Sequence, residues 1–282
     1  DIHRAMVSSV PDVLMDLLEI AAYVYCADQH TSRGGDTLAN SGRDWRPEMH
    51  FTIPVREPDL WNSDAVKGVL QDTLYFLSEH YSEFTFVKGS SPLSNYQDYL
   101  EFSTSEDVNA FKPHHVALFS GGLDSFAGAV DFLSAGKKLA LVGHHSCPKV
   151  FAYQKKLIAD LKNKGFAKQI FYVPVKVTNY QNDDPAEYTQ RTRSFLFASL
   201  AMAIAHLFGK DEVIFFENGM VSLNLPISTD VVGARATRTT HPRVLQGFQS
   251  LFTAILKKPI IVRNPYIWKT KAEVSRSEEH TS

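Results

Sequence analysis

The sequence predicts an α/β protein, a doubly wound five-stranded parallel sheet preceded by a small α+β domain. Three observations carry that expectation. From Val116 onward, apolar runs of strand length alternate with amphipathic segments of helix length. Those runs are apolar throughout rather than alternating, as strands buried on both faces must be. The chain has 282 residues, 44% hydrophobic and 21% charged, so it can fill the core of one large domain or two ordinary ones.

The N-terminal elements come first. Val10–Ala27 reads as a helix, and Thr31–Arg46, rich in Gly, Ser, Asp and Arg, as a loop. His50–Val55 alternates like a strand, Asp64–His80 is helical, and Phe84–Val87 is strand-like. A boundary near Ser103–Pro113 separates this α+β domain (1–110) from the α/β domain (111–275). In the second domain the predicted strands are Val116–Phe119, Leu139–Gly143, Ile170–Val175, Glu212–Phe216 and Ile260–Val262. The predicted helices are Asp124–Ser134, Lys149–Lys164, Arg191–Phe208 and Thr240–Leu256. Right-handed crossovers between such strands place helices on both faces, and ligands at the strands' carboxyl ends. Asp1 in place of a methionine reads as a cut N-terminus. Arg276–Ser282 (RSEEHTS) interrupts an amphipathic pattern that has only begun and resembles a translated adapter oligonucleotide, so 276–282 reads as a non-native tail on a truncated domain.

Composition excludes several classes. A formal net charge of −2 gives no global electrostatic case for nucleic acid or membrane binding. Cys26 and Cys147, far apart, make neither a disulfide framework nor a zinc motif and fit a reducing cytoplasm. The longest apolar run, Phe195–Phe208, is too short to span a membrane and reads as a buried helix.

The chemistry is concentrated in Ser120-Gly121-Gly122-Leu123-Asp124-Ser125, between the first α/β strand and its helix. Two glycines let the backbone turn tightly and approach a ligand. The amides that follow, at a helix N-terminus, suit an anion such as pyrophosphate. Ser120 and Ser125 add hydroxyls, and Asp124 is a candidate to hold Mg²⁺, which favours few carboxylates and several waters. The loop has no lysine and is too short for GxxxxGK[ST], nor is it GxGxxG.

The pattern SGGxDS between strand and helix resembles the PP-loop of the ATP pyrophosphatases. Arg191-Thr192-Arg193-Ser194, Glu217-Asn218-Gly219, Ser222-Leu223-Asn224-Leu225-Pro226, Thr237-Arg238-Thr239-Thr240-His241-Pro242, Asn264-Pro265-Tyr266 and Thr270-Lys271-Ala272-Glu273 extend the resemblance to the QueC-like (7-cyano-7-deazaguanine synthase-like) group. Within it they look most like the QatC component of the Qat anti-phage system. The likeness spans about Ser32 to Val274. It implies a HUP, adenine nucleotide alpha hydrolase-like, sheet and the cofactors ATP and Mg²⁺. It further implies AMP- and pyrophosphate-forming activation of a carboxylate, a ligase or amidotransferase reaction in which ammonia displaces AMP. By the same resemblance Ser120, Gly121, Gly122, Leu123, Asp124, Ser125, Glu217, Asn218 and Arg238 bind nucleotide. Asp124, Arg193 and Lys271 are catalytic, with Asp124 also on the metal. The implied partners are a carboxylate-bearing substrate and other defence-system proteins. The chain departs from housekeeping QueC in four ways, one of them its extra N-terminal domain. Gly143-His144-His145-Ser146-Cys147-Pro148 replaces a Tyr-Gly-Gln, Ser194 replaces an asparagine, and the C-terminal cysteine cluster that binds zinc does not appear in this fragment, which leaves Zn²⁺ open. Two other readings stand beside this one: a different PP-loop reaction such as tRNA base modification, and an ATP-binding subunit without turnover.

Other polar features carry less. Adjacent residues on a strand face opposite sides, so His114-His115 and His144-His145 are poor metal pairs. His241 suits helix capping or a site role equally. Arg235, Arg238 and Arg243 form a local basic stretch. Arg33, Arg43 and Arg46 accompany Trp45 in the polar loop.

Overall fold

A computed structural model describes residues 10–31, 47–89, 100–102, 110–144, 147–177, 191–223 and 238–276. The elements in chain order are α1 (Asp12–His30), β1 (Glu48–Val55), α2 (Pro58–Trp61), α3 (Asp64–Ser78), β2 (Tyr81–Lys88), β3 (Leu100–Phe102), β4 (His115–Leu118), α4 (Leu123–Ser134), β5 (Leu139–His144) and α5 (Pro148–Leu161). They continue with β6 (Ile170–Val177), α6 (Arg193–Leu207), β7 (Glu212–Ile214), α7 (Gly219–Ser222), α8 (Pro242–Leu256), β8 (Ile261–Arg263) and α9 (Lys271–Arg276).

The main sheet has the order β3-β6-β5-β4-β7-β8. Its five strands β6, β5, β4, β7 and β8 are all parallel, as the sequence predicts, and helices flank them in a Rossmann-like arrangement. The sequence reading is corrected at one edge. Leu100–Phe102 adds a sixth strand, antiparallel to β6, with Leu100 opposite Val177. Three residues are too short a run to show a period of two, so nothing in the pattern announced it.

Strand alternation divides the core into two halves. Val116, Leu118, Ala140, Val142, Val173 and Val213 face α6 and α8. Ala117, Leu139, Leu141, Ile170 and Ile214 face α4 and α5. Helix α6 is apolar on every side and is buried from Ser194 to Leu196 and again from Ala198 to Ala205. Such a helix must be covered all round. The sheet lies on one side of it and α1 on the other.

The N-terminal strands β1 and β2 form a separate two-stranded sheet. They are parallel, in register from Glu48 opposite Tyr81 to Val55 opposite Lys88, and joined through α2 and α3. Their buried Ile53, Val55, Phe84 and Phe86, with Leu14, Leu17 and Ile20 of α1 and Leu70 and Leu74 of α3, belong to the same hydrophobic cluster as α6 and α8. Helix α3 packs on α8 as α1 packs on α6. Helix α9 reaches Arg276, one residue into the segment read as a tail, and 277–282 lie outside the described residues. Among the described residues no helix is long and apolar enough to cross a membrane.

Candidate active site

Strand order reverses between β4 and β7, since β5 and β6 lie on one side of β4 and β7 and β8 on the other. In an open α/β sheet that crevice is where ligands bind. The loop Ser120–Ser125 leaves β4 at this point. Gly121 has φ +82°, a conformation that disfavours a side chain, and a Cβ there would approach Gln154 to 3.1 Å. The Gly122 amide donates to Ser120 Oγ at 3.2 Å, and Ser125 Oγ donates to the Gly122 carbonyl at 3.0 Å. Gly122 is the N-cap of α4 and supplies no capping side chain, so the first-turn amides are left for an anion.

Gln154 holds the loop's origin. It is fully buried on α5, and its Nε2 lies 3.3, 3.1 and 3.2 Å from the carbonyls of Phe119, Ser120 and His144. Its Oε1 accepts from the Tyr172 hydroxyl at 2.9 Å. One amide thereby ties the ends of β4 and β5 together. The sequence reading missed it, although a glutamine on the face of Ile158 and Leu161, four and seven residues on, was a visible signal.

Below the loop lies a pair of carboxyl groups. Asp124 Oδ2 accepts from Asn218 Nδ2 at 2.7 Å and from the Asn218 backbone at 3.2 Å. Asn218 Oδ1 caps α7 by accepting from Val221 N at 3.2 Å. Asp124 Oδ1 is buried and carries no hydrogen bond among the described residues. Glu217, which follows β7, lies close enough to Asp124 for its carboxyl, when protonated, to donate to it. Burial, the bond to Asp124 and its negative charge push the Glu217 carboxyl up to about 8, against a smaller opposing pull from Lys271. Burial also pushes Asp124 up, but bonds from Glu217 and Asn218 and the charge of Lys271 outweigh it, and its pKa lies below the usual range. The two shifts run in opposite directions, so Glu217 takes up a proton more readily than Asp124. Asn264 fixes the segment that carries Glu217: its Nδ2 donates to the Glu217 carbonyl at 2.7 Å and its Oδ1 accepts from Glu217 N at 3.3 Å.

This pair makes stability depend on pH. A carboxyl raised from 4.5 to about 8 on folding contributes stability that is fully present below 4.5 and is lost as pH rises to about 8. Glu217→Gln keeps a neutral donor toward Asp124. The variant should therefore show a flatter Tm profile across that window and a higher Tm than wild type above it, by thermal unfolding at a series of pH values.

A cleft of about 290 Å³ opens beside the loop, lined by Ser120, Ser125, Arg193, Phe197, Glu217 and Thr240 among others. Arg193, the first residue of α6, lies over the Phe197 ring at 4.8 Å, and its Nε has no hydrogen bond among the described residues. Lys271, exposed at the start of α9, is close enough to act on both carboxyls. The structure thus brings together Ser120–Ser125, Arg193, Glu217, Asn218 and Lys271. Arg238 is directed elsewhere. Its Nη1 donates to the Phe76 carbonyl at 3.0 Å, its Nη2 pairs with Glu79 at 2.5 Å, and it stacks on Phe76.

The remaining polar candidates have local roles. His114 Nδ1 accepts from Lys138 N at 2.9 Å, and His115 pairs with Glu212 at 2.7 Å. His144 is buried between Tyr25 and Phe197, and His145 lies outside the described residues. His241 Nδ1 accepts from Arg243 N at 3.1 Å and caps α8. Cys147 is exposed at the start of α5, whereas Cys26 is half-buried and burial raises its pKa. Arg33, Arg43, Trp45, Arg46 and Arg235 lie outside the described residues.

No protein-family model matches the chain, and no curated protein matches it. Fold and site together define a Rossmann-like α/β protein with a glycine-containing loop and a partly buried carboxyl pair at its strand-order switch.

Proposed function

We propose that the chain is an ATP-using enzyme of the PP-loop type, which splits ATP between its α- and β-phosphates and activates a carboxylate as the adenylate. The observation that carries this reading is the uncapped N-terminus of α4 beside Asp124, whose buried Oδ1 meets no amide, hydroxyl or basic donor among the described residues. That arrangement suits a pyrophosphate and a divalent cation side by side. Asp124 and Glu217 would hold Mg²⁺, with waters and phosphate oxygens completing its shell. When bound, the cation supplies charge neutralisation at the phosphates. The HUP assignment of the sheet belongs to this same reading.

In the reaction a substrate carboxylate oxygen attacks the α-phosphorus, the bond to the bridging oxygen of the β-phosphate breaks, and pyrophosphate leaves. Ammonia then displaces AMP. The α4 amides and Ser120 hold the leaving pyrophosphate, which fixes the line of attack. Arg193, in the cleft, stabilises the charge that builds on the phosphoryl oxygens. Lys271 adds positive charge near the carboxyl pair. No side chain forms a covalent intermediate. The resemblance to the QueC-like group supports a deazapurine acid as substrate and a cytoplasmic role in anti-phage defence. Thiolation of tRNA gains nothing from Cys26, whose half-buried thiol resists ionisation.

Product analysis tests this reading. The protein with ATP, Mg²⁺, ammonia and 7-carboxy-7-deazaguanine should release AMP and pyrophosphate. ADP and phosphate would overturn the mechanism. ATP binding without any AMP would favour a non-catalytic ATP-binding subunit.

A further inference from the structure

The cleft wall that carries Arg193 is anchored by the N-terminal part of the chain. Asp28, in the last turn of α1, is fully buried. Its Oδ2 accepts from both the Thr192 backbone at 3.0 Å and the Thr192 hydroxyl at 3.0 Å. Thr192 is the N-cap of α6, and its own side chain bonds to no helix amide. A second contact reinforces the first: Arg191 Nη1 donates to the carbonyl of Ser78, at the end of α3, at 3.0 Å. Arg193 comes next in the chain and begins the helix.

We propose that Asp28 is a positioning residue, setting the start of α6 so that Arg193 reaches the phosphates in the cleft. The inference rests on the proposed function. Its physical basis is geometric. Two hydrogen bonds from one carboxylate to one residue fix the position and the rotation of that residue, and a guanidinium one residue away inherits both. The carboxylate also lies at the positive end of α6, where negative charge is favoured. Among the described residues no hydrogen bond or ion pair joins Arg193 to α1, so the effect passes through Thr192.

Helix α3 treats the second wall of the cleft alike. The Phe76 carbonyl and Glu79 hold Arg238, the residue before Thr239 and Thr240, which line the cleft. Residues 191–192 and 238, next to cleft-lining Arg193 and Thr239, are therefore both fastened to elements before residue 80. The N-terminal part of the chain serves as a brace for the site.

The test is a double-mutant cycle on ATP affinity in the presence of Mg²⁺, measured by calorimetry on the full chain with Tm recorded for every variant. Arg193→Ala should weaken ATP binding about tenfold, the value of one charge-assisted contact. Asp28→Ala should weaken it about fivefold or more, and the double variant should bind no worse than Arg193→Ala alone. Asp28→Asn, which keeps an acceptor oxygen for Thr192, should recover most of the loss. If Asp28→Ala fails to fold, Thr192→Val in its place removes one of the two bonds and should show the same non-additivity. Additive losses would mean that Asp28 acts only on stability, and would overturn the proposal while leaving the proposed function standing. Unchanged affinity in Arg193→Ala would also overturn it. No ATP binding by the wild-type chain would remove both the proposed function and this inference.

Discussion

Asp124→Asn should lower AMP formation by at least about 100-fold while the protein stays folded. The substitution is nearly isosteric. One side-chain oxygen can still accept from Asn218, whose Nδ2 now approaches at 2.7 Å, so the bond that joins α4 to α7 survives. What disappears is the negative charge and the lone pairs of Oδ1, a buried atom that meets no amide, hydroxyl or basic donor among the described residues. The amide would present N–H groups where a cation has to sit. Glu217 also loses the charge that helps raise its pKa and becomes easier to ionise. A change in Tm of only a few degrees beside the activity loss would separate a chemical role from a structural one. Turnover within about tenfold of wild type would remove Asp124 from the metal and shift attention to Glu217.

The loop was legible because its chemistry is local. Two glycines, two serines and an aspartate between a strand and a helix specify backbone and charge together. Glu217 and Lys271 were also found, through motif likeness, and folding brings them to the same carboxyl pair. Arg238 shows where such reading stops. Its sequence neighbourhood suits a phosphate, yet the end of α3, some 160 positions earlier, supplies Glu79 and the Phe76 carbonyl as partners. No spacing rule contains that distance. Asp28 was missed for a related reason. The apolar period runs out at Ala27, so the helix was ended three residues too soon, and the residue it holds begins a helix 164 positions away. The five parallel strands were plain because their runs are apolar, whereas β3 has only three residues and pairs at an edge.

Asp16→Ala should cost about 3–5 kcal/mol of folding stability, the range for breaking a buried ion pair by removing one partner. Asp16 is fully buried in the first turns of α1. Its carboxylate accepts from Arg56 N at 3.0 Å, Glu57 N at 3.1 Å, Arg56 Nη1 at 2.6 Å and Trp61 Nε1 at 3.2 Å. Removing it strands two backbone donors and an indole N–H at the junction of β1 and α2. Glu19 still binds Arg56 Nη2 at 2.6 Å, so the guanidinium keeps one partner. Burial raises the Glu19 pKa despite that bond, so the second carboxyl is the weaker replacement. Glu19→Gln should accordingly cost less than Asp16→Ala. Denaturant unfolding with linear extrapolation reads both values. A loss below about 1 kcal/mol would mean the cluster behaves as a solvated surface pair. The shape of the transition carries a second result. Because α1 and α3 share one hydrophobic cluster with α6 and α8, Asp16→Ala should still unfold in a single step, with ATP raising its midpoint. An early, separate loss of the N-terminal elements that left ATP affinity intact would show that the site stands without its brace.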